Sequence, residues 1–124
     1  MKQINVINAY STTEKLSDNG DLPINTKWIL CQTRKTLRPH YEFQVEQNKQ
    51  ILEKYNGQYD QATNQINFET IDQANGFQKE HDELDNLDVE VQLDIKPTLK
   101  LSEIPNITVH QMETLEAFIE FIPE

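Results

Sequence analysis

The apolar positions of the chain follow two periods, and the switch between them divides it. Across residues 4–19, Val6, Ala9, Tyr10, Thr13 and Leu16 share one helical stripe, and Asn19-Gly20 supplies a stop. Leu22-Pro23 reads as an extended link, because proline pushes the residue before it out of the helical region. Asn25 or Thr26 then reads as the cap of a long helix. Along that helix Leu30, Leu37, Tyr41, Val45, Leu52 and Tyr55 recur at steps of seven, four, four, seven and three, one face of a 3.6-residue period. Pro39 lies inside it. Lacking an amide hydrogen and crowding the carbonyl four residues back, it costs ~3 kcal/mol in a regular helix, which predicts a kink or break between Leu37 and Pro39. Asn56-Gly57 predicts the end. A turn-like Asp60 to Asn64 between Tyr59 and Ile66 to Phe68 predicts a small hairpin or an ordered loop. A third helix, opened by Glu69 or Thr70 and running to Asn86, carries Ile71, Ala74, Phe77, Leu84 and Leu87 on one face, with Gly76 inside costing ~1 kcal/mol relative to alanine.

From Asp88 the period becomes two. Val89, Val91, Leu93 and Ile95 alternate with polar neighbours, predicting a half-buried strand that Pro97 ends. Leu99 and Leu101 give a second short extended piece, and Ser102 to Pro105 a turn. Thr108 and Gln111 have capping-box spacing for a last helix bearing Val109, Met112, Leu115, Phe118, Ile119 and Ile122, ended by Pro123. The expected fold is therefore α+β and mainly α: an antiparallel helical hairpin over about residues 25–87 whose two seams face each other, a short N-terminal helix at one end, and a C-terminal strand or hairpin plus helix over 88–124 closing the open side. All of it is expected to form one domain, 1–124.

With 124 residues and only 36% apolar, the chain suits a single thin core. Charge is uneven: residues 1–55 carry eight Lys/Arg against six Asp/Glu, while residues 56–124 carry three against fifteen. So acidic a distal half repels nucleic-acid phosphates and anionic membranes and permits basic partners. Cys31, the one cysteine, has no internal disulfide partner, and its apolar context predicts a small buried hydrophobe in a reducing compartment. No apolar run has the length of a signal peptide or a bilayer span, so a soluble cytosolic protein is expected.

Candidate chemistry is sparse. His40, His81 and His110 occupy separate elements, and no metal-ligand spacing, nucleophile constellation or phosphate-cradling glycine loop is present. An enzyme is not expected, nor a cofactor or metal. His81 and Asn48 fall in the two helical seams, where buried polar residues fix register. Glu80, Asp82, Glu83, Asp85, Asp88 and Glu90 concentrate six carboxylates within one run. A solvated face, a mimic of nucleic-acid charge aimed at a basic groove, and a divalent-cation site are all open to it, although the central glycine of a calcium loop is absent. Lys27, Arg34 and Arg38, with Lys35 alongside, form a basic stripe on the first half of the long helix; pairing with the acidic third helix is the simplest role, phosphate contact the sharper one. Trp28, Tyr41 and Tyr55 read as core or core-edge residues, and the first turns of the long helix as covered from more than one side.

The order of parts resembles small proteins encoded by tailed phages and prophages of low-GC Gram-positive bacteria. The likeness rests on Ile4 to Tyr10, the Leu22-Pro23 break, the Glu53 to Gly57 turn, Val89 to Leu93, Lys100 to Ile104 and Leu115 to Ile119. Pro39 departs from that family's uninterrupted helix, and no functional residue carries over. The resemblance implies phage origin and expression in an infected bacterium. Two functions of different class fit: a protein-binding module, an accessory of virion or tail assembly using the hairpin's outer face or the strand edge near Val89 to Ile95; and an acidic inhibitor of a host nucleic-acid-dependent defence enzyme, anti-CRISPR-like. Both imply a protein partner, a host-cytoplasmic or virion-associated location, and no direct binding to nucleic acid or membrane. Homo-oligomerisation is left open, since thin-cored hairpins pair to bury remaining apolar surface.

Overall fold

The computed structural model describes residues 1–93 and 95–123. Its fold is α+β, mainly α, and its spine is one long helix, α2 (Ile24–Lys54), about 46 Å long at 1.5 Å per residue. A shorter helix, α1 (Gln3–Ser17), precedes it. A hairpin of β1 (Gln58–Asp60) and β2 (Gln65–Asn67) joins it to α3 (Ile71–Asp85). The remainder holds β3 (Thr98–Lys100), a single 3-10 turn at Leu101–Glu103, α4 (Val109–Leu115) and β4 (Glu120–Ile122).

The six-residue connection after α1 folds it back along the first half of α2, the largest contact between elements in the molecule. Gln3, fully buried, donates from Nε2 to the His40 carbonyl at 2.8 Å, and the Tyr10 and Tyr41 rings stack 4.3 Å apart. The main core sits here, among Val6, Ala9, Tyr10, Leu22, Leu30, Leu37, Leu99, Ile104, Leu115, Phe118 and Ile119. The buried threonines of the two helices return their hydroxyls to carbonyls one turn back, Thr13 to Tyr10 and Thr33 to Ile29, so their burial leaves no orphan donor. Thr26 donates instead to the Glu103 carbonyl and ties the start of α2 to the tail.

The second half of α2 packs against α3 in antiparallel fashion. Gln44 contacts Asp85, Lys54 contacts Glu80, and the Tyr55 ring lies on Gly76, where a Cβ would come within 2.3 Å of it. Gly76 is therefore the seat of a ring rather than a defect in the helix. Phe68 tilts against Phe77 at 5.2 Å and closes this smaller cluster.

The expected seam of α2 is corrected by this division. Its buried positions recur every seven residues, Leu30, Leu37, Gln44 and Ile51. Leu30, Leu37 and Tyr41 meet α1 and the tail, not α3, while Val45 lies one step off the stripe and is 49% exposed. Ile71, at the first position of α3, is exposed on the side away from Phe77 and Leu84, and Leu87, past the helix end, is also exposed. Pro39 does not break α2, which runs through it. The carbonyl it leaves without a helical partner belongs to Lys35, an exposed residue on the solvent side of the helix. No side chain caps the start of α2, so neither Asn25 nor Thr26 does. At its end the Asn56 amide donates to the Glu53 carbonyl and Gly57 to Leu52, a Schellman turn in which Asn56, not glycine, takes the left-handed conformation at φ 54°. Gly57 is needed for space: a Cβ there would meet Leu52 at 2.4 Å.

The hairpin over 58–67 forms, antiparallel, with Tyr59 opposite Ile66. Thr70 caps α3 through a capping box with Gln73. The strand expected from Asp88 is corrected to an extended segment without a ladder: Val89, Val91 and Leu93 do turn inward against the core while Glu90 and Gln92 face out, but the pairing is a single bridge between Lys2 and Asp88. Ile95 is 82% exposed, and Asp94 lies outside the described residues. The last helix, expected to reach Ile122, ends at Leu115; Thr108 and Gln111 do form its capping box. Phe118 and Ile119 reach the core from the following turn, and β4 pairs in parallel with β3, Leu99 opposite Phe121.

Candidate protein-interaction surface

The outward ridge of α2 carries Ile24, Trp28 and, three turns on, Pro39 and Phe43, spaced so that one helical face holds them all. Ile24 is 82% and Trp28 62% exposed, the reverse of the core role expected of Trp28. Cys31 is exposed too, contrary to expectation, because the tail covers only one flank of these turns. On that flank Trp28, Ile29, Gln32, Thr33 and Thr36 form one wall of an open groove of about 400 Å³, and Gln92, Leu93, Ile95 and Pro97 form the other. An indole and an isoleucine held in water beside a cavity of ligand size form an apolar surface without an internal partner.

The basic stripe lies around this ridge. Lys27 and Arg34 are half-buried and Arg38 is exposed, on the side of α2 towards α1, while Lys35 is exposed two turns beyond Trp28 on the ridge itself. Pairing with α3 does not occur. α3 meets only the second half of α2, and the charged pairs among the described residues are Lys54 with Glu80 at 2.9 Å and His81 with Asp85 at 3.4 Å. Arg34 Nε is buried without a hydrogen-bond partner. Arg38 reaches the Tyr10 hydroxyl; burial chiefly, with Glu14 beside it, raises that hydroxyl's pKa, and Arg38 opposes the rise.

The six carboxylates do not form one face. Glu80 turns towards α2, where the Tyr55 hydroxyl and then the Lys54 ammonium hold its carboxyl below the usual glutamate range, although its Oε2 has no well-formed hydrogen bond. Asp85 accepts from Gln44 Nε2 at 3.0 Å and faces His81. Asp82 accepts from Gln78 one turn earlier and, with Glu83, Asp88 and Glu90, points outward. Among the described residues no group of three or more His, Cys, Asp or Glu side chains is placed to hold a metal ion, and no helix is long and apolar enough to cross a membrane. His81 is half-buried as expected, stacked on Phe77 at 5.8 Å. Gln44 with Asp85 is the part-buried polar pair between α2 and α3, which apolar periodicity does not signal because the stripe position is a glutamine; Asn48 is half-buried with its Oδ1 unpartnered. Comparison of the chain with protein-family models, with curated proteins and with solved structures gives no match to any of them.

Proposed function

We propose that the chain is a protein–protein interaction module, encoded by a phage as an accessory of virion or tail assembly and acting in the host cytoplasm or on the particle, and that it grips its partner through the Trp28 groove. The observation that carries the reading is the joint exposure of Trp28 and Ile95 on facing walls of one cavity, with exposed Ile24 one helical turn before Trp28. Tryptophan with an aliphatic rim is the composition of an interface hot spot. The alternative, an acidic inhibitor occupying a phosphate-binding groove of a defence enzyme, has less support: Glu80 and Asp85 are engaged with α2, so only Asp82, Glu83, Asp88 and Glu90 are left to act as a charge mimic.

One experiment separates the two. The tagged chain is captured from infected cells beside Trp28→Ala and beside the quadruple variant Asp82→Asn, Glu83→Gln, Asp88→Asn, Glu90→Gln. Loss of a phage structural protein with Trp28→Ala alone is the expected result. Loss of a host nuclease with the quadruple variant alone would replace the assembly reading by the inhibitor.

A further inference from the structure

We propose that the cavity between α4 and β4 takes a basic segment of a protein partner, seated by a lysine or arginine whose stem lies on the apolar lining. This cavity shares no lining residue with the Trp28 groove, so the proposal does not rest on that groove. Its volume is about 330 Å³, and its charged lining is Glu113 from α4, Glu116 at the end of that helix, Glu120 at the start of β4, and Lys96 as the one cation. All four residues are exposed, and none forms an ion pair among the described residues. The C-terminal end of a helix is itself negative, and the last turn of α4 holds no basic residue to offset it. The rim is therefore negative and uncompensated within the chain. The rest of the lining is apolar: Val109, 66% exposed, half-buried Met112 and Phe121, and buried Ile119. A divalent ion does not suit this arrangement, since among the described residues no group of three or more His, Cys, Asp or Glu side chains is placed to hold one. A lysine or arginine does suit it: the methylene stem covers apolar surface while the charged head stays at the rim. The flexible thioether of Met112 adapts to whatever is laid on it. Nucleic acid and anionic membranes are repelled by the same charge.

The test is selection of a random twelve-residue display library on the intact protein, with counter-selection on the triple variant Glu113→Gln, Glu116→Gln, Glu120→Gln. The proposal expects survivors in which Lys or Arg stands beside an aliphatic or aromatic residue. They should bind the triple variant at least tenfold more weakly, weaken further as salt rises, and shift the methyl resonances of Val109 and Met112, while binding Trp28→Ala as they bind the intact protein. Far-ultraviolet circular dichroism confirms that each variant is folded. Survivors that are neutral or acidic, or whose resonance shifts fall on another surface, overturn the proposal. A library in which nothing distinguishes the intact protein from the triple variant overturns it as well. Self-association in sedimentation that the triple variant abolishes assigns the cavity to the basic stripe of a second copy and likewise overturns it. The role of the Trp28 groove stands or falls separately, on the capture of the partner by Trp28→Ala.

Discussion

At the residue scale, burial and exposure separate stability from recognition. Trp28 is 62% exposed, so Trp28→Ala should change unfolding free energy by no more than about 0.5 kcal/mol in urea titration while removing the partner. Gly76 behaves oppositely. Alanine normally favours a helix by ~1 kcal/mol over glycine, yet here its Cβ meets the Tyr55 ring at 2.3 Å, and overpacking should outweigh propensity. Gly76→Ala is expected to destabilise by about 1–2 kcal/mol, and the same change in a Tyr55→Leu background to be neutral or stabilising. Glu80 makes a prediction in pH. Its folded carboxyl is held down by Tyr55 and then Lys54, so its contribution is complete above the ordinary glutamate range and is lost as pH falls through its lowered folded value. In a nuclear magnetic resonance titration Glu80 should change charge at lower pH than a free glutamate, and Tyr55→Phe should move it back up.

Elements were legible in the sequence wherever period and punctuation agreed. The stripe of α1, the hairpin around Tyr59 and Ile66, and the Thr108 box all stand where the pattern placed them. What failed did so for physical reasons. The face of α2 is not legible from apolar spacing because Gln44 is polar and buried, its Nε2 donating to Asp85 on another element that spacing alone does not bring near. The end of α4 was overrun because Phe118 and Ile119 keep helical spacing after Leu115, although their burial is completed from a turn and a parallel ladder with β3. The groove was invisible for a related reason: Trp28 on an apolar stretch reads as core until the tail is seen to cover only one flank. Pro39→Ala restores an amide donor to the Lys35 carbonyl while loosening the unfolded chain, and a net gain of about 1–2 kcal/mol is expected by denaturant titration.

For the whole molecule, α2 joins two unequal clusters. The main core, around Leu30 and Leu37, is supplied by α1 and the tail; the smaller, around Tyr55 and Phe77, by α3 and the hairpin. The hairpin end, with fewer buried apolar side chains, should open more often than the core end. Amide hydrogen exchange is the measure: faster exchange across β1, β2 and the start of α3 than across α1 is the expected order, and the reverse would relocate the weak end. The Schellman turn at Asn56-Gly57 sits at that weaker end and carries a consequence for chemical ageing. Spontaneous deamidation requires the backbone nitrogen of the following residue to attack the asparagine side chain, and glycine hinders that attack least. All three glycines of this chain follow an asparagine. The Gly57 nitrogen is occupied by the Leu52 carbonyl at 3.0 Å, and Gly76 lies inside α3, while Gly20 sits in the exposed bend after α1. Isoaspartate should therefore accumulate first at Asn19, and its later appearance at Asn56 would serve as a clock for how often the far end of the spine comes undone.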